Sequence, residues 1–161
     1  MTPDFVELEF VRRFEFPPAI VFDALVDPDL IAGWLAHAFV GRTVGSPYDL
    51  VWLTSSSFPP TRGTITVFDE PQALAVETDN RGRFQFLLAA SDGGPRGTST
   101  ILTTQVGVSV DPAFLPRVAA DWQSSLDQLD ALLRGHPVDW DNWDRDRSGA
   151  WREYLTAAGG R

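Results

Sequence analysis

The first part of the chain alternates between hydrophobic and polar residues, which predicts a β-strand. Over residues 5–16, Val6, Leu8 and Phe10 are separated by the acidic residues Glu7 and Glu9. A period of two places these apolar side chains on one face and the charged ones on the other. The chain is therefore expected to open with a strand that has one buried and one solvated face.

The pattern then changes to helical spacing over two short stretches. Pro17-Pro18 ends the strand, and residues 19–26 carry apolar side chains three or four positions apart. Asp27 is a natural N-cap for a second helix that has Pro28 at its first position and runs to about Leu35. Two short helices separated by a single turn are expected to form a V-shaped pair.

Strand-like segments separated by short turns occupy the middle of the chain. They are predicted at Ala38–Thr43, Tyr48–Thr54, Thr61–Asp69, Ala73–Asp79, Gly82–Ala90 and Thr98–Val110. Connections this short imply neighbouring antiparallel strands rather than parallel ones, which need a longer crossover.

A long amphipathic helix is predicted between Asp111-Pro112 and Arg134-Gly135. Its apolar residues step by three or four positions: Leu115, Val118, Trp122, Leu126, Leu129 and Leu133. The polar residues Asp121, Gln123, Asp127 and Asp130 are expected on the solvated side.

This order of elements resembles the START-like helix-grip fold, also called SRPBCC or Bet v 1-like. Residues 16–25 (FPPAIVFDAL) and 27–34 (DPDLIAGW) resemble the opening of the heat-shock-protein-90 ATPase activator homology branch. Trp122, followed by leucines in the last helix, is also similar to that branch. The resemblance implies an α+β fold in which a curved antiparallel β-sheet wraps around a long C-terminal helix, with two short helices after the first strand. The resemblance covers about residues 4–135, which indicates a domain at residues 1–135 and leaves residues 136–161 as a Trp-rich C-terminal extension.

In this fold a cavity between the sheet and the long helix commonly binds apolar or aromatic molecules. The resemblance therefore implies a small hydrophobic ligand and no obligatory cofactor. Large side chains on the concave face are the candidate ligand-binding residues: Trp34, Phe39, Trp52, Phe84, Phe86, Phe114, Trp122 and Leu126. Aromatic walls suit flat hydrophobic ligands, but the same rings can simply fill a core.

The composition narrows the chemistry further. All 13 basic residues are Arg, Cys is absent and there are only two His, so thiol, Schiff-base and three-histidine zinc chemistry are excluded. We predict no metal site. A net charge of −9 disfavours nucleic acid and anionic membranes as partners. No secretory signal or membrane span is recognised, and a cytoplasmic protein is expected.

Two other functions stay open at this point. One is a polyketide cyclase- or hydrolase-like enzyme on the same fold, using polar groups such as His37 or Tyr48. The other is an interaction module that regulates a chaperone through the acidic surface and the extension. The extension carries three of the six Trp, so it is expected to pack on its own domain or on the partner in a homodimer.

Overall fold

The computed structural model describes residues 4–53 and 59–159. The strands are β1 (Asp4–Phe14), β2 (His37–Val40), β3 (Tyr48–Val51), β4 (Gly63–Asp69), β5 (Ala73–Thr78), β6 (Arg83–Asp92) and β7 (Thr98–Val110). The helices are α1 (Pro18–Val26), α2 (Pro28–Ile31), α3 (Leu115–Leu133), α4 (Trp143–Asp146) and α5 (Ser148–Ala157). The elements from β1 to α3 follow the predicted order, and the predicted α+β fold class is confirmed.

Five strands form one antiparallel sheet in the order β1-β7-β6-β5-β4. Strands β2 and β3 form a separate antiparallel hairpin. Isolated bridges from Pro47 to Thr64 and from Leu50 to Thr61 join this hairpin to the β4 end of the sheet. The curved surface therefore continues from β4 into the hairpin, and its inner side faces α3.

Local signals account for where several elements begin and end. The Asp27 carboxylate accepts a hydrogen bond from the backbone N–H of Asp29, and Asp111 does the same for Ala113. These are the N-terminal caps expected before α2 and before the 3-10 turn Pro112–Phe114 that leads into α3. Strand β3 ends at Val51, whereas the predicted end at Thr54 lies outside the described residues.

The core lies between the sheet, the two short helices and one side of α3. Trp34 is fully buried, and its indole N–H donates to the carbonyl oxygen of Ala24 at 2.8 Å. Tyr48 is also fully buried, and its hydroxyl donates to the carbonyl oxygen of Leu25 at 2.6 Å. Both bonds satisfy carbonyl groups at the end of α1, so the short helices are fixed by polar as well as apolar contacts.

The C-terminal extension packs against the outer side of α3 of its own chain. The Tyr154 hydroxyl donates to Asp127 at 2.7 Å, and Arg12 from β1 forms an ion pair with the same carboxylate at 2.7 Å. The backbone N–H of Val138 donates to the carbonyl oxygen of Gly33 at 2.8 Å. Helix α3 is therefore covered on two sides, by the sheet and by the extension. None of the helices in the described ranges is long and apolar enough to cross a bilayer.

Candidate ligand-binding cavity

A cavity of about 520 Å³ lies between the hairpin end of the sheet, α3 and the C-terminal extension. Its walls are rich in aromatic side chains and include five of the six tryptophans of the chain: Trp52, Trp122, Trp140, Trp143 and Trp151. Phe84 and Phe114 add two further rings. This volume and lining are typical of a site for a small molecule.

The inner wall is a cluster of rings between β6 and α3. The ring centroids of Phe84 and Trp122 are 5.3 Å apart with a tilted geometry. Phe86 lies behind them, with its centroid 5.6 Å from Phe84 and 6.0 Å from Trp122 in edge-on arrangements. Alternation in β6 directs residues 84 and 86 to the same side of the sheet, and helical spacing brings Trp122 over them.

The extension supplies the opposite wall, and its three indoles are held by hydrogen bonds. The N–H of Trp140 donates to the carbonyl oxygen of Ala32 at 2.6 Å. The N–H of Trp143 donates to the side-chain oxygen of Gln128 at 2.9 Å. The N–H of Trp151 donates to Oδ1 of Asp121 at 2.8 Å. Each indole therefore presents an apolar face to the cavity while its polar edge is satisfied by the domain.

Asp121 is an acidic group in this aromatic wall. Besides the bond from Trp151, its Oδ2 lies 3.5 Å from a guanidinium nitrogen of Arg81. Burial raises the pKa of Asp121, and the Trp151 hydrogen bond and the Arg81 charge offset part of that rise. The sequence pattern assigned Asp121 to the solvated side of α3. The Asp121 side chain is 41% exposed, and what the pattern did not predict is its contact with Trp151, thirty residues later.

Arginines stand beside the indoles at the edge of the cavity. The guanidinium carbon of Arg81 lies 4.3 Å from the centroid of the Trp52 ring. That of Arg117 lies 6.0 Å from the Trp151 ring, and Arg152 also lines the cavity. These distances are within the range of cation–π contacts.

The eight predicted binding residues lie in three different environments. Trp52, Phe84, Phe114 and Trp122 line the cavity, and their role in binding stays a prediction. Trp34, Phe86 and Leu126 do not line it and are fully buried in the core. Phe39 is corrected: its side chain does not face the cavity and is 70% exposed, because β2 lies in the two-stranded hairpin at the edge of the fold.

The polar residues considered for catalysis lie elsewhere. His37 is exposed at the start of β2. The Tyr48 hydroxyl is directed at the Leu25 carbonyl, and burial raises the pKa of this phenol. Neither residue lines the cavity. Among the cavity residues that sequence reasoning missed are those contributed by the extension, which no local pattern places next to α3.

A second depression, of about 580 Å³, lies on the outer face of the sheet. It is lined largely by polar side chains, including Glu7, Glu9, Arg83 and Gln105. Glu7 and Arg83 form an exposed ion pair at 2.9 Å. Within the described ranges, no group of three His, Cys, Asp or Glu side chains could hold a metal ion there or elsewhere.

Comparison with known proteins identifies a matching family model. The model described as "Activator of Hsp90 ATPase homolog 1-like protein" matches residues 15–134. No curated protein matches the chain.

Several solved structures share the fold at low sequence identity. CalU16 from Micromonospora echinospora is 18% identical, with a TM-score of 0.60, and the match covers 93% of this chain and 88% of CalU16. A conserved protein of unknown function from Enterococcus faecalis, EF2215, is 16% identical with a TM-score of 0.64, covering 96% and 85% respectively. DynU16, from the dynemicin biosynthetic locus, is 16% identical with a TM-score of 0.66, covering 81% and 48%. At these identities the similarity shows the fold.

Proposed function

The chain belongs to the family of Activator of Hsp90 ATPase homolog 1-like proteins, whose fold is generally a ligand-binding one. From this premise we propose that the protein binds a small hydrophobic or aromatic molecule in the cavity between the sheet, α3 and the extension. The observation that carries the proposal is the lining: five tryptophans surround a space of about 520 Å³. Large rings around an open volume offer flat apolar area to a planar ligand.

The hydrogen bonds of the indoles support the same function. The N–H groups of Trp140, Trp143 and Trp151 are already bonded to Ala32, Gln128 and Asp121. A ligand therefore meets the ring faces of these residues rather than unsatisfied donors. Apolar contact with preformed walls needs little rearrangement of the protein, which limits the entropic cost of binding.

Titration with a neutral fluorescent probe tests the proposal directly. N-Phenyl-1-naphthylamine is apolar and aromatic, and its emission rises in an apolar site. We expect saturable binding at one site, together with quenching of tryptophan emission, because the walls contain five of the six tryptophans.

A cavity-filling variant tests whether the probe binds in this cavity. Ser125 lines the cavity, so Ser125→Phe places a phenyl ring in the space that the ligand would occupy. Thr156→Phe is the matched control, since it makes the same kind of change at an exposed position of α5 that does not line the cavity. Ser125→Phe should weaken probe binding about 10-fold or more, as expected for the loss of one or two kcal/mol of apolar contact. Unsaturable binding, or equal affinity in both variants, would contradict the proposal.

A further inference from the structure

The charges around the cavity differ in sign from those of the chain as a whole. The chain carries a net charge of −9. Among the residues that the structure describes, the cavity lining contains three arginines, Arg81, Arg117 and Arg152, against two aspartates, Asp121 and Asp144, and no glutamate. The lining is therefore net positive on an acidic protein. Such a local reversal raises the concentration of anions at this site relative to the rest of the surface.

The three arginines are not equivalent. Arg81 forms the ion pair with Asp121, so their charges largely offset each other. The charge of Arg117 lowers the pKa of Asp121 without direct contact, and neither Arg117 nor Arg152 lies within ion-pair distance of a carboxylate among the described residues. Both arginines are exposed. Two guanidinium groups at the cavity are therefore available to an acidic group on a ligand. Guanidinium is well suited to this task because its planar set of donors matches carboxylate and sulfonate oxygens.

Both arginines are close to the aromatic wall in sequence or in space. Arg152 directly follows Trp151, and the Arg117 guanidinium lies 6.0 Å from the Trp151 ring. Arg117 is also in the first turn of α3, a helix of 19 residues, where the helix dipole adds positive potential. A molecule whose rings contact Trp151 would bring a ring substituent within reach of these two cations.

We infer that the ligand of this cavity is an aromatic anion, that is, a planar ring system with one acidic group bound by Arg117 and Arg152. This inference rests on the proposed function, since it specifies the chemistry of the molecule that occupies the same cavity. The rings would contact the indoles, and the acidic group would lie at the edge where the arginines reach solvent.

Two probes with the same rings distinguish the contribution of a negative charge to affinity from that of apolar contact. 1-Anilinonaphthalene-8-sulfonate differs from N-phenyl-1-naphthylamine only by its sulfonate group. We expect the sulfonate to bind at least about 10-fold more tightly at low ionic strength, as expected for a charge-assisted contact with two guanidinium groups. Added salt should reduce the difference in affinity between the two probes, because both arginines are exposed and their charges are therefore screened.

Arginine variants assign the effect to named residues. Arg117→Gln and Arg152→Gln should each weaken sulfonate binding about 3- to 10-fold, the size expected for partly exposed charge pairs with good geometry. Each should change the affinity for the neutral probe less than about 2-fold, which also shows that the variant retains the cavity. Arg145→Gln is the matched control: it removes the same charge from the extension, but its side chain is 72% exposed, pairs with Asp146 and does not line the cavity.

The outcomes distinguish this inference from the proposed function. Equal affinity for the two probes, or a sulfonate affinity in the Arg117→Gln/Arg152→Gln double variant that is unchanged from the parent, would overturn the inference while ligand binding stands. If Arg145→Gln weakened sulfonate binding as much as Arg152→Gln does, the inference would also be overturned. The net charge of the protein alone would then explain the higher affinity for the sulfonate. Failure of both probes to bind would instead refute the proposed function.

Discussion

Gln128 connects three parts of the molecule through one buried amide. Its side chain is 3% exposed; Nε2 donates to the carbonyl oxygen of Trp34 at 2.7 Å, and Oε1 accepts from the Trp143 indole at 2.9 Å. These bonds join the segment after α2, helix α3 and the extension. Gln128→Leu keeps a side chain of similar size but removes both hydrogen bonds, so it measures how strongly the amide holds the extension in place.

The expected loss of folding stability follows from the two groups that lose their hydrogen-bond partner, the Trp34 carbonyl and the Trp143 indole N–H. A buried donor or acceptor without a hydrogen bond costs about 1–3 kcal/mol, and Trp143 is only partly buried, so we expect a total of about 2–4 kcal/mol. For a domain of this size, 1 kcal/mol changes Tm by about 2–4 °C, so Tm should fall by roughly 5–15 °C. Gln72→Leu, the same substitution at an exposed position, should change Tm by less than about 2 °C.

A double-mutant cycle separates the hydrogen bond to Trp143 from other effects of the substitution. Urea unfolding gives the free energy of unfolding for Gln128→Leu, Trp143→Phe and the double variant. Because both single variants lose the same indole–amide bond, the double variant should be more stable than the sum of the two single losses predicts, by about 0.5–1.5 kcal/mol. Additive losses, or a Gln128→Leu variant as stable as the parent, would refute the reasoning.

Two further substitutions test groups at and near the cavity. Because the pKa of Asp121 is raised in the folded protein, the ionised carboxylate lowers stability as pH rises through that pKa. Asp121→Asn should therefore raise Tm at about pH 7, and the difference from the parent should shrink as pH falls to about 4; a lower Tm at neutral pH would contradict this. Tyr48→Phe leaves the Leu25 carbonyl without its donor, so it should cost about 1–2 kcal/mol in urea unfolding. Its affinity for N-phenyl-1-naphthylamine should stay within about 2-fold of the parent, since Tyr48 does not line the cavity; a loss of affinity comparable to that of Ser125→Phe would contradict this.

Most of the fold could be predicted because its signals are local. Alternation gives the strands, and prolines, Asp27 and Asp111 mark where helices begin; β7 has the predicted bounds, Thr98–Val110. The alternation of hydrophobic and polar residues does not, however, predict which face of an edge strand is covered by other elements. Phe39 lies in a predicted strand that does form, as β2, yet its side chain is 70% exposed, because β2 belongs to a two-stranded hairpin and none of the described elements covers that face.

The cavity could be predicted only in part, because about a third of its lining residues belong to the extension, which lies outside the recognised domain. Phe84 and Trp122 follow from the periods of β6 and α3 and from the expected topology. The helical pattern of α3 identifies only its apolar stripe, so Asp121 is assigned to solvent and Gln128 receives no role. Contacts with Trp151 and Trp143 of the extension determine the positions of both polar side chains. Those contacts depend on where a separate segment folds back, which residue periodicity does not encode.

The match to the family model ends at residue 134, just after α3, whereas Trp140, Trp143 and Trp151 come later. The residues that hold the sheet and α3 together are thus largely separate from those that form the outer wall of the cavity. Substitutions in the extension can change what fits against the indoles without creating voids in the core. The outer wall of the cavity can therefore be altered through a short terminal segment, while the side chains between the sheet, the short helices and α3 stay the same.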